Sequence, residues 1–89
     1  MANKRDLKKN LNYVFGDIIE TAYLWEYENT DKDNKKSQEI VDESINAFDE
    51  LIARVNQKNV DDVKAHFKAI NQDLETKAKE LIEKINKLG

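Results

Sequence analysis

The chain has no cysteine and no proline, only two glycines and a single histidine among its 89 residues. Lack of cysteine removes disulfides, thiolate nucleophiles and thiolate zinc sites together. With no proline, and with one of the glycines at the last position, long helices are favoured over strands and tight turns. No window reaches the roughly 18 apolar residues of a membrane span. The basic start "NKRDLKK" runs into "LNYVFGDII", yet Asn12, Gly16 and Asp17 break that apolar stretch and no small-residue cleavage site follows, so a secretory signal is not expected. An excess of one charge is also missing: 15 basic and 18 acidic residues leave a formal charge of -3, with no general pull toward nucleic acid or an anionic membrane. A cytoplasmic protein with neither of those partners is the expectation.

What is present is helical periodicity. Leu7, Leu11, Val14, Ile18, Ala22 and Trp25 recur at steps of three and four, which gathers them on one face of a helix running from near Lys4 to near Glu28. Val41, Ile45, Phe48, Ile52 and Val55 repeat the spacing over a second helix, about Asn34 to Gln57, with Ile40, Ser44 and Leu51 widening its stripe. A third pattern, Val60, Val63, Phe67, Ile70, Leu74, Ala78, Leu81, Ile85 and Leu88, extends to the end. Short polar connections, "NTDKD" and "KN", force neighbouring helices to be antiparallel. The expected fold is all-α: one domain over residues 1–89, an up-down-up antiparallel three-helix bundle with long helices. Asp33 or Asn34 is expected to cap the second helix, and Asn59 the third, with Asp62 at its third position.

The first helix carries Lys4, Arg5, Lys8 and Lys9 at its start and Glu20, Glu26 and Glu28 toward its end, the unfavourable order for its own dipole. In the up-down-up arrangement the basic end falls beside Asp61 and Asp62, and the acidic end beside Lys35, Lys36, Lys84 and Lys87. Neighbouring helices thus offset the misfit, so the basic cluster has a structural explanation. Four cations without interleaved aromatic residues do not make a nucleic-acid site.

Over residues 4 to 25, "KRDLKKNLNYVFGDIIETAYLWE" resembles an uncharacterised family of small all-helical proteins from Bacteroides-like bacteria, whose first helix has a similar basic start leading into an Asn-Tyr pair. The resemblance implies a compact helical fold and a cytoplasmic setting, and brings no activity with it. In that family a small residue or Cys is common where Phe15 stands here, so a thiol role does not carry over.

Catalytic and metal chemistry find little support. A calcium loop starting at Asp31 would place Asp33 well, but Lys35 and Lys36 occupy a ligand position and the glycine position, and Asp42 is a short substitute for the closing Glu. One histidine cannot supply a carboxylate-bridged di-iron core. His66, one turn from Asp62, reads as a boundary residue paired with that carboxylate. Neither a nucleophilic Ser motif nor a Gly-rich phosphate loop occurs. No metal, no cofactor and no enzymatic activity are expected. Ser44 and Asn71 fall inside the apolar arcs at similar height, where they would hydrogen-bond and fix register.

The first helix holds five of the seven aromatic residues, more apolar surface than its share of a core requires. With Ile18 at the centre of the buried arc, Ile19 and Tyr23 fall about 100° and 140° away and Tyr27 opposite, with Tyr13 and Leu24 on the far side. Gly16 lies in the middle of that outer face, where it costs about 1 kcal/mol relative to Ala unless something approaches closely. Asn12, Tyr13, Gly16, Ile19, Glu20, Tyr23 and Tyr27 are therefore the candidate binding residues, for a second copy of the chain or another protein. The alternative is an acidic face on the second helix, Glu39, Asp42, Glu43, Asp49 and Glu50, that receives a basic protein.

Overall fold

The computed structural model describes residues 4–88. Helix α1 spans Lys4–Glu28, α2 spans Lys35–Val55 and α3 spans Val63–Asn86, and each helix touches the other two. No strand occurs among the described residues. The interhelical pairs fix the direction of each helix. On α2 the partners of Glu43 and Arg54 are Lys84 and Asp73, so α3 descends as α2 rises. Likewise Glu26 meets Gln38 while Phe15 meets Phe48, which makes α1 and α2 antiparallel. The result is the up-down-up bundle, elongated to 51 Å by 18 Å by 17 Å.

Its core joins Leu7, Leu11, Phe15 and Ile18 of α1, Ile40, Ala47, Leu51 and Val55 of α2, and Ile70, Leu74 and Leu81 of α3. Each fully enclosed Leu or Ile removes enough apolar surface from water to contribute roughly 1.5–3 kcal/mol. Phe15, which the four-three spacing leaves outside the expected stripe, is 1% exposed and meets Phe48 edge to face at 6.2 Å. Its burial turns the inner face of α1 by part of a residue step toward α2. Trp25, expected in the core, is half-buried, and its enclosed Nε1–H finds no acceptor among the described residues.

On α2 the buried arc is centred on small residues, with Ser37, Ser44 and Ala47 all inside. Small side chains let the α2 backbone come close to its neighbours, and Ile45, about 100° from Ser44, is left 44% exposed instead of joining the core. The register-setting bond is also different from the expected one. Ser44 Oγ donates to Ile40 O of its own helix at 2.7 Å, and Asn71 is half-buried. The hydroxyl that crosses between helices is that of Ser37, donating to Ala22 O of α1 at 3.2 Å.

The connections settle the caps. Asp33 Oδ1 accepts from Lys35 N at 3.0 Å, while Asn34 occupies the cap position without a side-chain bond. Before α3, Asn59 does not cap. It takes a left-handed backbone with φ of 60°, a conformation Asn tolerates better than most residues. The turn is therefore longer than "KN", α3 begins at Val63, and Asp62 is the cap, accepting from Ala65 N at 3.1 Å. That start leaves Val60 half-buried in the turn and Val63 exposed.

Candidate functional site

Among the described residues no group of three His, Cys, Asp or Glu is arranged to hold a metal, and no helix is long and apolar enough to cross a membrane. Asp31 and Asp33 lie in an exposed turn, where Asp33 is engaged with the α2 backbone. His66 does not pair with Asp62, whose carboxylate caps α3. Its Nε2 lies 2.6 Å from Arg54 O in the last turn of α2, and because a carbonyl only accepts, that nitrogen carries the proton. The ring thereby adds a second donor to a carbonyl at the end of α2 that Gln57 N–H already bonds at 3.2 Å. A structural role accounts for the histidine fully.

Two surfaces of the bundle differ in chemistry. The seam between α2 and α3, away from α1, is polar and charged. Glu43 accepts both of its short bonds, 2.7 and 2.8 Å, from Lys84 Nζ, and Arg54 pairs with Asp73 farther along. The hydrogen bond that Lys84 donates to Glu43, together with the negative charge of that carboxylate, holds the Lys84 ammonium above the usual lysine range despite partial desolvation. An open trough of about 560 Å³ lies at the Lys84 end, where Lys36, Glu39, Ile40, Glu43 and Leu88 form its walls. Charges of both signs and an open mouth make it a hydrated groove rather than an enclosed ligand cavity of the usual apolar kind.

The other surface is built on α1. Every residue of the candidate set except Ile19 is exposed, with Tyr13 67% and Tyr27 81% accessible, and Ile19 is half-buried at the edge of the core. Nothing lies within 4 Å of where a side chain on Gly16 would begin, so the glycine is not needed for packing inside the bundle. The exposed large apolar side chains collect here. Six of the seven among the described residues are Tyr13, Tyr23, Leu24 and Tyr27 on α1 itself, Ile45 on its α2 flank and Ile82 on its α3 flank. Ile82 shares a shallow groove with Tyr13, Val14, Asp17 and Ile18. Ile45 falls on the side of α2 that carries Phe48 and Gln38, the partners of Phe15 and Glu26, and lies between them along the helix.

The helical pattern brings Asn12, Tyr13, Gly16, Glu20, Tyr23 and Tyr27 to one side as expected. Ile45 and Ile82 were not part of that set. Ile45 fits an apolar stripe of α2 when the sequence alone is considered, and only the centring of α2 on its serines turns it outward. Nothing in the linear pattern tells which helix Ile82 leans toward. Compared with protein-family models, with curated proteins and with solved structures, the chain finds no match in any of the three.

Proposed function

We propose that this chain is a non-enzymatic helical module that self-associates or binds another protein through the outer face of α1, in the cytoplasm of a bacterium. The observation that carries the reading is the one-sided collection of exposed apolar side chains around an open glycine. Tyrosine, with an apolar body and a polar tip, is the residue type enriched in protein interfaces, and six of the seven exposed large apolar side chains among the described residues lie on α1 or its flanks. Gly16 makes physical sense in the same terms. A glycine in the middle of a 25-residue helix costs helical stability, and with nothing of its own chain above it, the cost is offset only when another surface comes close.

The acidic face of α2 supports its reading less well. Glu39, Asp42, Asp49 and Glu50 are exposed, but Glu43 at the centre of the row is already bound to Lys84.

Sedimentation of the parent and of Gly16→Arg over a concentration series tests the proposal. The parent associates, whereas the variant stays monomeric, keeps its helical content and is more stable by about 0.5–1 kcal/mol because a non-glycine residue favours the helix. A variant that associates like the parent removes the outer face of α1 as the contact.

A further inference from the structure

We propose that the surface on α1 is built to receive a second copy of the same helix, running antiparallel, with Gly16 on the two-fold axis. This rests on the interaction reading above and adds the partner and its orientation. Gly16 lies well inside α1, with more than two helical turns described on either side of it. It is also the middle of the exposed arc, opposite Ile18. Along that arc the outward stripe reads Arg5, Lys9, Asn12, Gly16, Glu20, Tyr23, Tyr27, all exposed. Its steps are four, three, four, then four, three, four, the same in both directions from the glycine.

A two-fold axis at Gly16 superposes each half of this stripe on the other half of the partner's. Arg5 of one protomer then meets Tyr27 of its partner, Lys9 meets Tyr23, and Asn12 meets Glu20. The first two are cations over aromatic rings and the third is an amide facing a carboxylate, so each pair is chemically complementary. Within one chain Lys9 Nζ already stands 6.0 Å from the centre of the Tyr13 ring, so its ammonium lies over the outer face. A parallel arrangement would set Arg5 on Arg5 and Lys9 on Lys9, placing like charges together with no compensation. Close approach of two helices needs a small residue at the crossing point, and Gly16 offers open space there. Interfaces of this kind are isologous, the self-complementary form that C2 dimers use.

The absence of cysteine makes the orientation directly measurable. A chain carrying Asn12→Cys is mixed with one carrying Glu20→Cys under a thiol–disulfide buffer. The antiparallel pair brings position 12 of one chain to position 20 of the other within disulfide reach, so the mixed product exceeds the two symmetric products by about fivefold. In parallel, Arg5→Glu with Lys9→Glu weakens self-association at least about tenfold, and adding Tyr23→Lys with Tyr27→Lys to the same chain restores it by reversing each pair. A parent that is monomeric up to about 1 mM overturns the second-copy proposal and leaves the α1 surface to a different protein. Association that Gly16→Arg abolishes, but with symmetric disulfides dominant or with the double charge reversal inert, overturns the antiparallel pairing while the α1 reading stands. Association that survives Gly16→Arg overturns both.

Discussion

The outer side of α1 and the seam between α2 and α3 both meet water and solve the problem of exposure in opposite ways. Along the seam, long charged side chains from the two helices reach each other, Lys84 to Glu43 and Arg54 to Asp73, so the surface is satisfied within one chain. On α1, tyrosines and aliphatic side chains face outward around a glycine that nothing in the same chain covers. A surface whose groups are mutually paired gains little from a partner. One that keeps apolar area in water, and gives up helix propensity at its centre, gains from being covered. The contrast is first one of chemistry, and it is joined by one of shape, a single helix ridge on α1 against a groove between α2 and α3.

Adjacent residues on α1 offer the sharpest way to break this comparison. Phe15 and Gly16 are neighbours in sequence, one enclosed against Phe48 and the other open. Phe15→Ala should cost about 3–5 kcal/mol in denaturant unfolding, the largest effect expected here, because it removes a ring and leaves a cavity. Gly16→Arg moves stability the other way. If the Phe15 variant loses less than the Gly16 variant gains, the division between inner and outer faces of α1 is misplaced.

A smaller effect asks how far the apolar surface extends. Ile45→Ser should lower stability by roughly 1 kcal/mol, since the side chain is partly exposed, and weaken association measured by sedimentation. Association unchanged by this substitution would confine the contact to α1 and exclude its α2 flank.

The smallest effect belongs to the seam. Lys84 is held above its ordinary range by Glu43, so the ion pair contributes to stability at neutral and mildly alkaline pH, below the ordinary lysine value. That contribution is lost as pH rises through the raised value, when the folded state gives up its proton. Exposure of both side chains keeps the change small and salt-sensitive. Melting curves from neutral to strongly alkaline pH should show the parent losing slightly more stability than Glu43→Gln, and the difference should shrink in high salt. A larger loss in the variant would mean that the pair opposes folding, and the seam would no longer stand as the satisfied surface.

Particular residues show where linear pattern suffices and where it does not. Steps of three and four place Leu7, Leu11, Ile18 and Ala22 on one face, and all four are buried, because a helix of regular geometry has no other way to arrange them. The end of α1 at Glu28 follows from the same pattern. So does the outward position of Tyr13, Gly16, Tyr23 and Tyr27, for a residue opposite a buried arc can only face away from it. Sequence by itself therefore determined three helices, their antiparallel order and the outer face of α1. It did not determine the rotation of each helix about its own axis. That angle depends on how closely two backbones approach, and the small residues Ser37, Ser44 and Ala47 of α2 allowed an approach that took Phe15 in and turned Ile45 out. Side chains far apart in sequence decided the rest: Ser37 found Ala22, His66 found Arg54 and Lys84 found Glu43 only because the helices were already packed in register. Periodicity is local and fixes a face to within part of a turn, whereas packing is a contest among all three helices for the same interior space, and only tertiary structure resolves it.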